Sequence, residues 1–432
     1  MEAALLLVLI LGVNLTLWLF VGGLRFASDR FGPKPPTIVG MPPPLDPANV
    51  AVLIPAHNEE PVIAATISSA VRLVPESNVH VIADGCTDAT AEIARAAAVN
   101  VLELDPGRGK AGGIEAALKQ FDIPRRFAAL LIVDADTELD ENYLARGLPL
   151  LDQPGVVAVA GYAKAGWRPS ELSPMGRFLV AYRSRLYVVM QWLKYGQTWR
   201  YTNVTAIVPG FASMYRTSVL DRMDLNPPGL IIEDFNMTFE LHRKQLGKIA
   251  FQTNVYATTQ DPDNFRDYYR QVFRWHLGFW QTFRRHGLWA SGFSAALALF
   301  ILEILVASAG IVLLVAAFAL LLPIVLVDGT WEALGLGSGF DGVFGFALLL
   351  AGSVLFLAAM DYLLTCVTAL ALRRPSLLLY GLGFLFLRFV DATLILRAIP
   401  QAWRSNSDGR WTSPTRRPAA RAPSPVEPGQ EP

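Results

Sequence analysis

The hydrophobic residues of this chain form short runs in its middle and long runs towards its two ends. The short runs lie at residues 49–55, 79–83, 101–104 and 127–133, and segments with apolar residues at helical spacing lie between them at 61–73, 89–98 and 112–120. Short apolar runs are typical of buried strands. The alternation of strands and helices therefore predicts an α/β fold with a mostly parallel sheet.

Four apolar runs are long enough to span a bilayer as helices, and they lie at residues 3–23, 300–327, 342–372 and 376–399. The last run differs from the others because it contains Arg388, Asp391 and Arg397. It either crosses the membrane or lies at its surface with Arg388 and Asp391 paired at helical spacing. The mean hydropathy of +0.36 agrees with a membrane protein.

The charges beside the first apolar run predict its orientation. Arg25, Arg30 and Lys34 follow it, so the residues after it are expected in the cytoplasm. A secretory signal peptide is the alternative, but the run has no basic residue before it and no clear cleavage site after it. We predict a multi-pass protein of the plasma (inner) membrane with five regions: a transmembrane helix at 1–24, a Pro-rich linker at 25–48, a cytoplasmic domain at 49–290, a membrane region of two or three segments at 291–400, and a Pro- and Arg-rich disordered tail at 401–432.

Charge and cysteine content narrow the possible functions. The formal net charge is zero, so no nucleic-acid partner is expected. The two cysteines, Cys86 and Cys366, lie in unrelated segments and predict neither a disulfide framework nor a thiolate metal site.

Polar residues follow the predicted strands at the points where ligands bind in α/β sheets. Glu59 comes after the first strand, Asp84 after the second, and Asp134 and Asp136 after the fourth. If the last two continue the strand, their carboxylates face the same way and repel unless a cation lies near them. Mg²⁺ or Mn²⁺ suits such oxygen ligands, although a turn or helix cap is the simpler interpretation of a lone Asp-x-Asp triplet.

Three further groups of residues carry possible chemistry. Glu233 and Asp234 open a helix-periodic segment, where acids either complement the helix dipole or supply a general base. Gln271, Arg274 and Trp275 share one face of a predicted helix at 265–285, which is also rich enough in Arg and aromatic residues to lie at a membrane surface.

A glycine-rich stretch at 107–113 contains Lys110, which either neutralises a phosphate or lies in a solvated loop. A nucleotide triphosphatase is not expected, because Ala111 stands where a P-loop has Ser or Thr.

Five motifs, taken in their order along the chain, give it a resemblance to the membrane-bound family 2 glycosyltransferases. They are the His57-Asn58-Glu59 strand end, the turn at Asp84, the Asp134-Ala135-Asp136 triplet, the Glu233-Asp234 pair and the Gln271-x-x-Arg274-Trp275 cluster. These inverting enzymes include cellulose, chitin, hyaluronan and poly-N-acetylglucosamine synthases. The resemblance implies a Rossmann-like, nucleotide-sugar-binding domain of GT-A type, flanked by transmembrane helices.

The resemblance also implies roles for the site residues. Asp136 would bind the metal, with Asp134 beside it. Glu59, Asp84, Lys110 and Asp134 would contact the donor, although the family usually has two acids where this chain has Ala83-Asp84. Asp234 would be the base with Glu233 its neighbour, Arg274 would assist the leaving diphosphate, Trp275 would stack on the acceptor, and Gln271 would share their face. The segment 209–211 resembles an acceptor-side loop that precedes Arg216.

The function implied is transfer of a sugar from a nucleotide sugar, expected to be a UDP sugar, to a polysaccharide or lipid-linked acceptor, with a divalent metal. Two alternatives stay open: transfer of a single sugar to a lipid rather than processive synthesis, and a non-catalytic scaffold of glycosyltransferase type. The apolar runs are fewer than in large cellulose synthases, so a small membrane partner or a homodimer would supply further helices.

Overall fold

The computed structural model describes residues 8, 11–32, 44–326, 340–410 and 413–418. Its strands are β1 Val50–Ala56, β2 Val79–Asp84, β3 Asn100–Leu104, β4 Ala129–Val133, β5 Thr137–Leu139, β6 Val156–Ala165, β7 Ala212–Arg216 and β8 Lys248–Thr259. Its helices are α1 Val13–Phe31, α2 Ile63–Val71, α3 Thr90–Ala96, α4 Gly109–Gln120, α5 Ile123–Arg126, α6 Tyr143–Leu151, α7 Pro174–Gln197, α8 Glu233–Arg243, α9 Phe265–His286, α10 Gly292–Leu326, α11 Phe340–Ala371, α12 Ser376–Gly381 and α13 Phe384–Arg404.

The strands form one mixed sheet in the order β3-β2-β1-β4-β7-β6-β8-β5. Strands β3, β2, β1 and β4 are parallel, as the alternation of elements predicts. Strand β7 pairs antiparallel with both β4 and β6, and β5 pairs antiparallel with β8. The α/β class and the mostly parallel character of the sheet are confirmed.

The sheet is covered on both faces, which explains its continuous apolar strands. Every residue of β1, β2 and β4 is buried. One core cluster includes Val52, Ile54 and Leu131, and a second includes Leu53 and Ile132. Because successive side chains point to opposite faces, neighbouring residues of one strand enter different cores.

The strand register gathers the acids at one edge of the sheet. Ala56 pairs with Ala83, so the carboxyl ends of β1 and β2 lie side by side. The antiparallel strand β7 starts at this edge, where Ala212 pairs with Val133 and the Asp134 N–H donates to the Phe211 carbonyl at 2.9 Å. The segment before β7 therefore lies at the end of β4, next to the Asp134 turn.

A helical layer packs beside the sheet domain. The carboxylate of Asp391 on α13 accepts hydrogen bonds from the hydroxyls of Tyr182 on α7 and Tyr268 on α9, at 2.8 and 2.6 Å. Arg388 pairs with Asp361 on α11 and not with Asp391, so the predicted pairing within the helix is wrong. The two charges instead connect α13 to three other helices.

Two described helices are long and apolar enough to cross a membrane, and these segments are Gly292–Leu320 and Leu348–Ala371. They coincide with the second and third apolar runs. The fourth run folds into α12 and α13 and does not meet that criterion. The first run is described only in part. Its helix α1 continues to Phe31, beyond the predicted boundary at residue 24, and Arg25 is buried against the Tyr195 carbonyl.

The C-terminal tail differs from the expectation of disorder where the structure describes it. Residues 401–404 complete α13, Ser407 forms an isolated bridge with Gly229, and residues 413–418 lie against the sheet edge that carries the acids. Residues 411, 412 and 419–432 lie outside the described part of the chain.

Candidate active site

The Asp134–Asp136 triplet forms a turn, not an extension of β4. Strand β4 ends at Val133, and the Thr137 N–H donates to the Asp134 carbonyl at 3.0 Å. The premise that both carboxylates face the same way is therefore wrong. The Asp134 carboxylate contacts Lys110 at 2.6 Å, whereas the Asp136 carboxylate contacts Arg416 at 2.5 Å.

Lys110 connects two of the predicted site residues. Its ammonium group lies 2.6 Å from Asp134 Oδ1 and 2.7 Å from Glu233 Oε1. Burial disfavours the ammonium form, but the charges of Asp134 and Glu233 outweigh burial and hold the pKa of Lys110 above its ordinary value. Its position in the first turn of α4 makes the glycine-rich stretch part of the site, and a solvated loop is the wrong interpretation.

Gly210 lies at the centre of this group. Its carbonyl accepts from Lys110 Nζ at 3.3 Å, and its N–H donates to Asp234 Oδ2 at 3.1 Å. A Cβ atom there would lie 2.8 Å from Lys110 Nζ and 2.9 Å from Glu233 Oε1. A side chain at this position would displace both charged groups from Gly210.

Asp234 is held by backbone donors. Its Oδ1 accepts from its neighbour, the Phe235 N–H, at 2.7 Å, and its Oδ2 accepts from Gly210. Burial and the charge of Glu233 raise the pKa of Asp234 to about 6, although Lys110 and the two N–H donors favour the ionised form. Lys194 is buried nearby, and burial lowers its pKa to about 8 against the attraction of Asp234. A carboxyl group with a pKa of about 6 suits a general base near neutral pH.

The other two acids at the sheet edge, Asp84 and Glu59, already have hydrogen-bond partners within the protein. Asp84 is buried, and its Oδ1 accepts from the Arg108 N–H at 2.6 Å, which holds the glycine-rich stretch against the end of β2. Glu59 is buried and makes a two-point contact with the Arg416 guanidinium. Contact of either residue with a donor stays a prediction.

The predicted helix at 265–285 is confirmed as α9. Two of its residues, Gln271 and Trp275, both contact Arg183 of α7. One Arg183 Nη atom donates to Gln271 Oε1 at 2.8 Å, and the guanidinium lies 4.3 Å from the centre of the Trp275 ring. Arg183 is fully buried and also faces Asp261, with 3.8 Å between Nε and Oδ1. Among the described residues, no acid lies within 4 Å of Arg274, and its contact with a leaving diphosphate stays a prediction.

Arg216 does not belong to the site. It ends β7 opposite Ala129, at the far edge of the sheet, and pairs with Asp152 at 3.2 Å. Its guanidinium also donates to the carbonyls of Leu151 and Val156. Arg216 therefore holds the loop between α6 and β6.

The sequence model of a protein family described as "Glycosyltransferase like family 2" matches residues 47–278. The chain belongs to this family. The prediction of a glycosyltransferase is thereby confirmed at the level of the family, and the roles of individual residues stay predictions.

Curated relatives of this glycosyltransferase align over about half of its length. It is 26% identical over 242 residues to the probable glycosyltransferase YdaM of Bacillus subtilis, and this alignment covers 53% of this chain and 54% of the relative. It is 23% identical over 251 residues to the poly-β-1,6-N-acetyl-D-glucosamine synthase of Staphylococcus epidermidis, which covers 54% of this chain and 57% of the relative. The chain thus spans little more than half the length of the curated relatives it matches.

Among solved structures, the fold is similar to that of the mannosyltransferase PcManGT from Pyrobaculum calidifontis, in complex with GDP-Man and Mn²⁺. The TM-score is 0.50 at 18% identity, and the match covers 81% of this chain and 96% of that one. At this identity the likeness shows the fold alone, and it confirms the GT-A type of the sheet domain.

The donor set of the glycosyltransferase fits a divalent cation that also binds phosphate oxygens. Asp136 offers a hard carboxylate ligand that already faces a cation, the guanidinium of Arg416. Within the described part of the chain, no group of three or more His, Cys, Asp and Glu side chains could hold a metal alone. Mg²⁺ or Mn²⁺ at Asp136 would therefore depend on oxygens of the donor diphosphate.

Sequence reasoning missed three cations of the site. Arg183 and Lys194 lie on α7, and Arg416 lies in the tail. Arg183 and Lys194 stand within a segment rich in apolar and aromatic residues, so their burial beside acids could have been suspected. Nothing local indicates Arg416, because its partners lie more than 270 residues away in the chain.

Proposed function

We propose that this glycosyltransferase transfers a sugar, with inversion, from a nucleotide sugar to a glycan end or lipid-linked acceptor at the membrane. The observation that carries the proposal is the environment of Asp234, a carboxylate oriented by two N–H donors, with its pKa raised to about 6, beside the Lys110 and Glu233 pair. A base of this kind accepts a proton from a sugar hydroxyl as it attacks.

In the proposed reaction, the acceptor oxygen forms a bond to the anomeric carbon while the bond from that carbon to the diphosphate breaks on the opposite face. The hydroxyl proton passes to Asp234, and the nucleoside diphosphate leaves. Mg²⁺ or Mn²⁺ bound by Asp136 would supply positive charge to the diphosphate. Arg274 would donate charge-assisted hydrogen bonds to it, and Trp275 would stack on the acceptor sugar.

The proposed setting is the cytoplasmic face of the plasma (inner) membrane, with the catalytic domain at residues 49–290. Its support is the pair of candidate spans after this domain and the basic residues Arg25 and Arg30 on α1. A small membrane partner or a homodimer would complete a passage for a long product. Release after a single sugar is the second form of the same reaction.

The donor is proposed to be a UDP sugar, and a GDP sugar is the matched alternative because GDP-Man is bound by the structural relative. The test is release of nucleoside diphosphate and of glycosylated product from a panel of labelled donors with membranes that contain the protein.

Asp234→Asn is expected to keep donor binding and to lose transfer by a factor of about one hundred to ten thousand. Asp221→Asn, an exposed acid outside the site, is the control and is expected to behave as the wild type. Equal rates for wild type and Asp234→Asn would contradict Asp234 as base, and no release from any donor would favour the non-catalytic scaffold.

A further inference from the structure

Helix α7 presents a polar face to the candidate active site. Arg183, Tyr187, Gln191 and Lys194 follow one another at intervals of three or four residues, so they lie on one side of the helix. At one end, Arg183 contacts the ring that is proposed to stack on the acceptor. In the middle, the Tyr187 hydroxyl donates to Asp261 Oδ1 at 2.8 Å. At the other end, Lys194 is attracted to the proposed base. The polar face of α7 therefore extends from the acceptor position to the base.

Lys194 is a buried cation that has no acid beside it. Only 4% of the residue is exposed, and within the described part of the chain its ammonium group makes no hydrogen bond and has no carboxylate within 4 Å. Burial lowers the pKa of Lys194 to about 8 against the attraction of Asp234, so at pH 7 about nine in ten molecules still carry the charge. A buried cation without a counterion is unfavourable in a folded protein, which indicates that a ligand supplies the opposite charge.

Gln191 lies one turn before Lys194 and also lacks a partner. It is 3% exposed, and its buried Oε1 accepts no hydrogen bond from the described residues. Buried amide oxygens without a donor are rare in folded proteins. A ligand hydroxyl would supply that donor, while the amide Nε2 can donate to an oxygen of the same ligand.

The charge of the other lysine at the base is already used. Lys110 lies 2.6 Å from Asp134 and 2.7 Å from Glu233. An anionic group that approaches Asp234 is therefore repelled by two acids at the start of α8 and is attracted by Lys194. The arrangement favours a ligand whose negative charge lies at the Lys194 end of the polar face.

The end of α7 that carries Lys194 is fixed against α1. The Arg25 guanidinium donates to the Tyr195 carbonyl at 3.0 Å. The backbones approach so closely at Gly196 that a Cβ atom there would overlap the Trp18 carbonyl. Because α1 belongs to the proposed membrane anchor, this end of α7 lies on the membrane side of the site, where an amphiphile can present its headgroup.

We propose that Lys194 and Gln191 form a subsite for an oxyanion of the acceptor, so that the acceptor carries a phosphate or carboxylate group close to its attacking oxygen. This proposal rests on the proposed function for the role of Asp234 as base, and it narrows the acceptor to an anionic class. Lys194 would hold the anion by a charge-assisted hydrogen bond, and Gln191 would bind a neighbouring hydroxyl. The attacking oxygen would then face Asp234.

The test compares three amphiphiles that share a dodecyl chain and differ in headgroup: dodecyl phosphate, dodecyl β-glucuronide and dodecyl β-glucoside. Their binding to the full-length protein in detergent at pH 7, without a nucleotide sugar, is measured by isothermal titration calorimetry with protein-free micelles as the blank. The wild type is expected to bind at least one of the two anionic compounds about tenfold more tightly than the glucoside. The tighter of the two identifies the anion as a phosphate or a carboxylate.

Three variants assign this preference to Lys194. Lys194→Met keeps the length of the side chain without its charge, and it is expected to bind the preferred anionic compound about tenfold more weakly while glucoside binding stays within about twofold. Lys194→Arg keeps a cation and is expected to retain most of the preference. Lys248→Met is the matched control, because it removes an exposed lysine at the start of β8, and it is expected to bind as the wild type. The melting temperature of Lys194→Met should equal or exceed that of the wild type, since the variant removes an uncompensated buried charge.

Three results would overturn the subsite. The first is equal affinity of the wild type for the anionic and neutral compounds. The second is an undiminished preference in Lys194→Met, which would place the anion elsewhere, for example at the donor diphosphate position. The third is a parallel loss of all three compounds and of the melting temperature in Lys194→Met, which would mean a structural role. None of these measurements uses a sugar donor, so their failure leaves the Asp234 test of transfer standing, and failure of that test leaves the measured headgroup preference unchanged.

Discussion

The raised pKa of Asp234 predicts how the transfer rate depends on pH. As proposed base, Asp234 must be ionised to accept a proton, so kcat/KM should rise with pH and level off above a midpoint near 6. At pH 5 a group with a pKa of about 6 is roughly one-tenth ionised, so kcat/KM should be about tenfold below its plateau. A carboxyl group at its ordinary pKa of 3.8 would be almost fully ionised at pH 5 and would give almost no loss.

The neighbours of Asp234 show which substitution should move that midpoint. Lys110 favours the ionised form of Asp234, whereas burial and Glu233 disfavour it. Lys110→Met removes the favourable charge while keeping the length of the side chain. We expect the midpoint to rise by about one pH unit, which corresponds to about 1.4 kcal/mol. The overall rate should also fall, because Lys110 belongs to the site, but only the midpoint is interpreted.

The assay is release of nucleoside diphosphate with acceptor between pH 4.5 and 8.5, at saturating Mn²⁺. The control is Arg416→Gln, because Arg416 lowers the pKa of Asp136, the other acid with a pKa raised to about 6. With the metal saturating, this variant should keep the wild-type midpoint. A profile that is flat from pH 5 to 8, or a midpoint that moves in Arg416→Gln and stays fixed in Lys110→Met, would refute the assignment of Asp234.

Two further predictions concern the face of α9. Arg183→Lys keeps a buried positive charge beside Asp261. It loses the planar contact with Trp275 and weakens the hydrogen bonding to Gln271. The ratio of acceptor transfer to donor hydrolysis should therefore fall severalfold, with little change in melting temperature. A parallel fall of both reactions together with the melting temperature would mean a purely structural role. Trp275→Ala should spare hydrolysis and reduce transfer about tenfold or more, with Trp275→Phe less affected, whereas Arg274→Ala should reduce both reactions. Nucleotide release with and without acceptor measures each effect, and equal losses of both reactions in Trp275→Ala and Arg274→Ala would contradict their separate roles.

The parallel half of the fold could be predicted because its strands are buried on both faces. Runs such as Val50–Ala56 and Ala129–Val133 are apolar throughout, and turn residues bound them. The other half, in which β7 and β5 run antiparallel to their neighbours while β6 and β8 pair in parallel, was not predicted. Strand β8 is only partly buried, with exposed residues at positions 253 and 254, and β6 pairs with it through two irregularities of register. Such strands lack the continuous run that makes β1 and β4 visible in a sequence.

The site was predictable only as a set of acids at strand ends. Local order along the chain indicates that Glu59, Asp134 and Asp136 come near one sheet edge, but it does not indicate which cation each one meets. Arg183 and Arg416 reach the site from α7 and from the C-terminal segment 413–418, through contacts with no periodicity in sequence. Ionic contacts between distant segments depend on tertiary packing, which a single sequence does not display.

The pattern of charge pairing explains why Asp234 stands apart from its neighbours. Asp134 and Glu233 share Lys110, and Asp136 and Glu59 share Arg416, so these four acids pair with two cations. Within the described part of the chain, Asp234 has no ion pair within 4 Å, and it relies on backbone N–H groups instead.

Ion pairing of a carboxylate favours its ionised form, and at Asp136 the charge of Arg416 opposes the burial that raises the pKa of this carboxyl to about 6. A base must instead gain a proton during turnover and lose it afterwards, which a tight ion pair would oppose. At the start of α8, the two oxygens of Asp234 accept from the N–H groups of Gly210 and Phe235. Burial and the charge of Glu233 raise the pKa of Asp234 to about 6, the range in which proton transfer is reversible near neutral pH.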